Sequence, residues 1–184
     1  MTDKPLAERM RPQNLDDFIG QEHLVGKDAI LRKAIEGKTI PSMIFWGPPG
    51  VGKTTLASII SNQLDKQFFA LSAISVGVKE VRHVIEIAKK GGQVILFLDE
   101  IHRFNKSQQD ALLGAIEKGL ILFIGATTEN PSFEVNSALL SRCQVYILKD
   151  LEEEGLKNLV ANAIEKDEIL KENKIEIKEW EAML

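Results

Sequence analysis

Cysteine is nearly missing from this chain: Cys143 stands alone among 184 residues. A single thiol cannot close a disulfide within the chain, so a disulfide scaffold is excluded and a reducing compartment fits. An excess of basic charge is also lacking. The formal net charge of −4 argues against a domain that coats nucleic acid through bulk charge, and leaves room only for a local basic patch. Long apolar runs are missing too. The longest, such as Val94–Leu98, hold about five residues, against the roughly 18 that a membrane span needs. Met1 to Pro12 is charged and has no apolar stretch of the kind a secretory leader carries. The three histidines, His23, His83 and His102, are isolated, and none is expected to ligate a metal. No internal repeat or low-complexity tract interrupts the chain. These absences point to a cytoplasmic protein without a membrane partner.

What is present suits a soluble globular fold. Hydrophobic residues make up 44% of the chain, enough for a core that needs no metal or disulfide staple. Apolar runs alternate with helical patterns, which predicts a parallel sheet covered by helices, an α/β fold. The expected strands are 42–46, 67–71, 94–98, 120–125 and 144–148, five in all. The expected helices between them are 53–64, 78–89 and 107–118. The last is punctuated: Asn105 with Gln108 reads as a capping box, Leu112, Ala115 and Ile116 form a stripe, and Gly119 follows as a stop. Near Asp150 the pattern changes. Leu156, Leu159, Val160, Ala163 and Ile164 share a helical face, and no strand follows. We therefore expect a core domain over 1–150 and the start of a helical appendage over 151–184.

Gly47-Pro48-Pro49-Gly50-Val51-Gly52-Lys53-Thr54 is a complete G-x-x-x-x-G-K-[ST] phosphate loop. It follows the apolar run Met43–Trp46 and precedes a helical pattern, the context this motif requires. Glycines let backbone N–H groups turn inward toward phosphate oxygens. The helix beginning near Lys53 aims its positive end at the same place. The Lys53 ammonium can reach the β- and γ-phosphates, and the Thr54 hydroxyl can ligand Mg²⁺. Pro48 and Pro49 stiffen the entry by fixing φ. A plain Gly/Pro turn between strand and helix would not need Lys-Thr after its last glycine.

The apolar run Val94–Leu98 ends in Asp99-Glu100. Ligands of open α/β sheets sit at the carboxyl ends of strands, where this pair falls. Asp99 is expected to hold Mg²⁺ through water, and Glu100 to orient and activate the attacking water. Read alone, the pair could be a solvated strand end; beside a complete phosphate loop it reads as a site. Asp99-Glu100-Ile101-His102 also matches a DExH helicase box, but such helicases use two domains and this chain holds one. His102 is expected at the surface or behind the site. A second buried run, Leu120–Ala126, ends in Thr127-Thr128-Glu129-Asn130-Pro131, where a hydroxyl can meet the γ-phosphate or the water; a strand-ending Asn-Pro turn is the plainer reading. Arg142 could bring a guanidinium to a phosphoryl group in cis or in trans, or be merely exposed.

Together these segments resemble the AAA+ family of P-loop NTPases. More narrowly they resemble the branch of replication-associated recombination protein A, which includes the Werner helicase-interacting ATPases. The stretches that carry the resemblance are 6–12, 18–24, the phosphate loop, Asp99–Ala111, Gly125–Phe133 and Leu139–Cys143. They cover essentially all of residues 5–150. The resemblance implies ATP as the bound nucleotide, with contacts from Gly47, Pro48, Pro49, Gly50, Val51, Gly52, Lys53, Thr54 and Thr55. It implies an adenine cup from Met10, Arg11, Pro12, Phe18, Ile19 and Gly20, and it makes Thr128 the sensor. Ser72 would fill the position that restrains the glutamate, where related clamp loaders often carry Asn. Arg142 would be the arginine finger of a neighbouring subunit's site, which implies a head-to-tail homo-oligomer.

The resemblance further implies a DNA-stimulated ATPase at stalled or gapped replication forks. It implies association with single-stranded-DNA-binding protein and with the nucleoid. Lys79, Arg82, Lys89, Lys90, Arg103 and Lys106 are candidates to line an oligomer's pore toward DNA, or are simply solvated helix faces. A clamp-loader-like subunit and a nucleotide-gated binding module with little hydrolysis are the competing functions; Glu100 argues against the second. One departure stands out. Family members carry a helical lid with a second sensor arginine, yet no arginine follows Arg142. Residues 151–184 are also too few for that lid and for the C-terminal oligomerisation domain. The expectation is a fragment or truncated form that retains nucleotide binding in part.

Overall fold

The computed structural model describes residues 4–173 and 175. Before the first strand come three short helices, α1 (Leu6–Arg9), α2 (Glu22–Val25) and α3 (Ile30–Glu36). The core then alternates: β1 (Met43–Trp46), α4 (Lys53–Leu64), β2 (Phe68–Ser72), α5 (Val78–Gly91), β3 (Val94–Asp99), α6 (Lys106–Glu117), β4 (Ile121–Thr127). Helices α7 (Pro131–Glu134) and α8 (Ser137–Leu140) lead to β5 (Gln144–Ile147), followed by α9 (Glu153–Lys166) and α10 (Glu168–Glu172). The five strands form one parallel sheet in the order β2-β3-β4-β1-β5. Parallel pairing demands a crossover after each strand, and α4, α5 and α6 supply the long ones.

The unbroken apolar strands are explained by burial on both faces. Successive residues alternate between two cores. Met43, Phe45, Ile95, Phe97, Leu122 and Ile124 pack with Leu56, Ile59 and Ile60 of α4 on one side. Ile44, Leu96, Leu98, Ile121 and Phe123 pack with Val81 and Val84 of α5 and Leu112 of α6 on the other. The capping box of α6 forms as expected: Gln108 N–H donates to Asn105 Oδ1 at 2.9 Å, and Asn105 N–H donates to Gln108 Oε1 at 2.9 Å.

Three strands run beyond their expected ends, and all three extensions matter for the site: β3 takes in Asp99. β2 reaches Ser72, which pairs with Asp99, and β4 reaches Thr127 rather than stopping at Gly125. A Cβ on Gly125 would meet the ring of Phe123 at 3.1 Å, so glycine serves packing inside the strand. Helix α9 forms where the helical face is expected, yet none of its residues is buried, and Leu156 and Leu159 remain partly exposed. The part of the expected helical tail beyond residue 173 lies, apart from Ile175, outside the described residues.

Candidate nucleotide site

The phosphate loop begins where β1 ends. Gly47 N–H donates to Thr127 O at 3.2 Å, which ties the loop to the end of β4. A Cβ on Gly47 would come within 2.2 Å of the Leu148 carbonyl oxygen, so only glycine lets the loop pass β5 at this distance. Gly52 adopts φ +96° and is the residue before α4. No side chain caps that helix end, which leaves its first N–H groups for an anion. Lys53 opens the helix and is buried, and its Nζ donates to Gly47 O at 2.7 Å and Pro48 O at 2.6 Å. An ammonium has three donors, so one N–H remains beyond these two. Burial pushes the Lys53 pKa down, and the charges of Asp99 and Glu100 oppose that shift. The two carboxylates and the ammonium therefore share one electrostatic site. Thr54 and Thr55 follow in the first turn of α4, both half-buried.

Asp99 is the last residue of β3, and its Oδ1 accepts from Glu100 N–H at 3.0 Å. Glu100 leaves the strand with φ 53°, a left-handed conformation that a non-glycine residue adopts at a cost of roughly 1–2 kcal/mol. Its Oε2 is buried without a hydrogen-bond partner. An unpartnered carboxylate oxygen at the carboxyl edge of the sheet suits a group that must take up a proton from water. A Thr54 hydroxyl and an Asp99 carboxylate are hard oxygen donors, the set that Mg²⁺ accepts when phosphate and water complete its shell. Thr128 follows β4 directly and is half-buried beside this edge.

A cavity of ≈ 390 Å³ opens between the N-terminal segment and α9. Ile19, Gly20, His23, Lys149, Leu151 and Gly155 are among its walls. Met10, Arg11 and Pro12 are not, and Arg11 instead pairs with Glu8 at 2.6 Å. Gly20, at φ +81°, passes so close to Leu151 that a Cβ would meet its Cδ2 at 2.5 Å.

Arg142 lies elsewhere. It precedes β5, whose first residue Gln144 is level with Met43 at the start of β1, whereas the loop leaves β1 after Trp46. Strands of this length separate the two ends by roughly 10 Å. The guanidinium is held outward by Glu117 of α6 at 2.5 Å and by Ala138 O at 2.7 Å. Arg142 thus stands at the edge of the sheet opposite its own phosphate loop. The six basic residues proposed for a pore are all exposed, and Lys89 is paired with Glu86 at 2.6 Å.

Several positioning residues carry no sequence signal of their own. Gln21 clasps the residue after the β5 region from both sides: its Nε2 donates to Lys149 O at 2.7 Å and its Oε1 accepts from Lys149 N–H at 2.9 Å. His23 Nε2 lies 2.9 Å from Ile147 O, so this histidine is not isolated. Arg9 and Asp167 pair at 2.7 Å and join the N-terminal segment to the α9–α10 junction. His102 is tucked in rather than at the surface, with its Nδ1 3.0 Å from Thr127 Oγ1.

The chain is similar to known proteins in sequence and in fold. The sequence profile of the ATPase family associated with various cellular activities (AAA) matches residues 43–151. Replication-associated recombination protein A of Escherichia coli (strain K12) is 55% identical over 168 residues, covering 89% of this chain and 38% of that protein. ATPase WRNIP1 of Dictyostelium discoideum is 50% identical over 175 residues, covering 93% and 20%. The chain spans well under half the length of these curated relatives. Among solved structures, the Thermotoga maritima RuvB Holliday junction branch migration motor superposes with a TM-score of 0.68 at 34% identity, covering 85% of this chain and 54% of that one. With its five-stranded order and its loop-bearing β1, the chain belongs to the AAA ATPase family, in the branch of replication-associated recombination protein A and WRNIP1.

Proposed function

We propose that this chain is the ATP-binding and ATP-hydrolysing core of a DNA-stimulated ATPase that acts at stalled replication forks in recombination and repair. The observation that carries the reading is the shared site of Lys53, Asp99 and Glu100, with one Glu100 oxygen buried and unpartnered. In this reading the loop N–H groups from Gly50 to Thr55 hold the phosphates, and Lys53 turns from the loop carbonyls to the γ-phosphate. Mg²⁺ held by Thr54, and through water by Asp99, would neutralise charge on the β- and γ-phosphates. Glu100 orients the attacking water and receives its proton, and Thr128 hydrogen-bonds the γ-phosphate. Ile19 and Gly20 form the adenine wall, with Met10, Arg11 and Pro12 preceding it.

Arg142 serves a neighbouring subunit's site in a head-to-tail homo-oligomer. Its place at the opposite sheet edge supports action in trans. DNA and single-stranded-DNA-binding protein are the proposed partners, met in the nucleoid. The names of the relatives and the RuvB-like fold support the DNA assignment.

The test is steady-state ATP hydrolysis by the chain, with and without forked and gapped DNA, beside Glu100→Gln. Glu100→Gln should bind ATP as before and turn over about 10²–10⁴ times more slowly. Unchanged turnover in Glu100→Gln would sink its assigned role, and indifference to DNA would remove the stimulation.

A further inference from the structure

We propose that His102 is a positioning residue that couples the end of β4 to Glu100, a role that rests on the reading of Glu100 as the water-orienting carboxylate. His102 sits on the 3-10 turn Ile101–Arg103 that follows β3, with its side chain only 10% exposed. Its Nδ1 faces two oxygens at once: Thr127 Oγ1 at 3.0 Å and Glu100 Oε2 at 3.2 Å. The second contact is too poorly aligned for a full hydrogen bond, which is why that carboxylate oxygen remains unpartnered.

Proton accounting favours the Nδ1–H tautomer. The Thr127 hydroxyl has one proton and two lone pairs. Its proton goes to Glu129 O at 3.2 Å, and one lone pair accepts from Glu129 N–H at 3.0 Å. With its proton on Glu129 O, the hydroxyl turns its remaining lone pair to Nδ1, which in that arrangement carries the hydrogen. The nearby Glu100 carboxylate favours the same tautomer, because a bare Nδ1 lone pair would repel it. One buried N–H is therefore placed between two acceptors, on strand ends that both border the nucleotide site. A small displacement of Thr127 shifts that donor toward or away from Glu100.

Thr127 is next to Thr128, the residue proposed to meet the γ-phosphate, and the main chain of Thr127 also holds Gly47 N–H. Movement of the β4 end on phosphate contact therefore reaches Glu100 through His102. Ser72, to which the family resemblance gives the restraint of the glutamate, is engaged elsewhere. Its hydroxyl accepts from Ile74 N–H at 3.4 Å within its own turn, and its sheet partner is Asp99. The geometry gives the restraint to His102.

Asparagine places an amide N–H at the δ position that Nδ1 occupies, whereas glutamine places it one bond farther out. His102→Ala and His102→Gln should each lose about 10- to 100-fold in kcat, with ATP affinity within roughly threefold of the parent, and His102→Asn should recover most of that loss. Full turnover in His102→Ala while Glu100→Gln is inactive would overturn the proposal alone. Full turnover in both would overturn the Glu100 reading beneath it. A second measurement needs no turnover: long-range ¹H–¹⁵N spectra of the three histidine rings. The His102 signal, identified by its loss in His102→Asn, should report the Nδ1–H tautomer and should move in Glu100→Gln and in Thr127→Val. An Nε2–H tautomer, or a signal indifferent to both substitutions, would overturn the coupling.

Discussion

Substituting Gly52 with alanine separates two physical effects at the mouth of α4. At φ +96° an L-residue is strained, which should cost roughly 1–2 kcal/mol. The added Cβ would also meet Phe18 Cζ at 2.8 Å and Cε2 at 2.9 Å, and Phe18 is itself buried. Forcing a methyl into packed surroundings adds roughly 1–3 kcal/mol, so the whole effect is about 2–5 kcal/mol. Gly50→Ala is the control: φ is +80°, but nothing lies within 4 Å of its Cβ, so only the backbone part should appear. Phe18→Leu removes the opposing ring atoms at about 1 kcal/mol by itself. The double variant Gly52→Ala/Phe18→Leu should then be less destabilised than the sum of the single variants by about 1–2 kcal/mol. Urea unfolding of the four variants beside the parent, with the slope checked for constancy, measures this. Costs that add within about 0.5 kcal/mol would refute the seating of Phe18 on the phosphate loop.

Three further perturbations have defined outcomes. Gln109 is fully buried and makes three bonds, to Phe104 O, Glu134 O and Asn136 N–H, so Gln109→Ala should lower unfolding stability by about 2–4 kcal/mol, read by denaturant titration. Hydrogen bonding from Arg9 holds the Asp167 carboxyl below its ordinary value. Its contribution is therefore complete above about pH 4 and lost as pH falls through the lower folded value. Asp167→Asn should remove that acid sensitivity from the melting curve. Burial pushes the Cys143 thiol up to about 12, so iodoacetamide at pH 8 should label it slowly in the folded protein and readily once it is denatured.

The sheet and the phosphate loop are legible in the sequence because their signals are local. A strand buried on both faces reads as an apolar run, and a simple turn after Trp46 has no use for Gly-Lys-Thr. The α6 capping box is legible for the same reason, since donor and acceptor lie three residues apart. Contacts between distant segments are not. Nothing in Gly20-Gln21-Glu22 indicates that the Gln21 amide will clasp Lys149, and Arg9 with Asp167 bridges 158 positions. A lone histidine carries no partner in sequence, so His102 reads as a residue at the surface or behind the site. Its partner Thr127 falls inside a strand only because β4 runs two residues past Gly125. Arg142 is readable as a finger only by resemblance; the register of β5 against β1 adds that it faces away from its own loop.

The most direct test of the central claim is a calorimetric titration of ATP and ADP with Mg²⁺ into the parent chain and into Lys53→Ala. The account predicts one site per chain in the parent, and at least about tenfold weaker binding once the loop ammonium is removed. Equal affinity in the two proteins, or no binding by the parent, would contradict it.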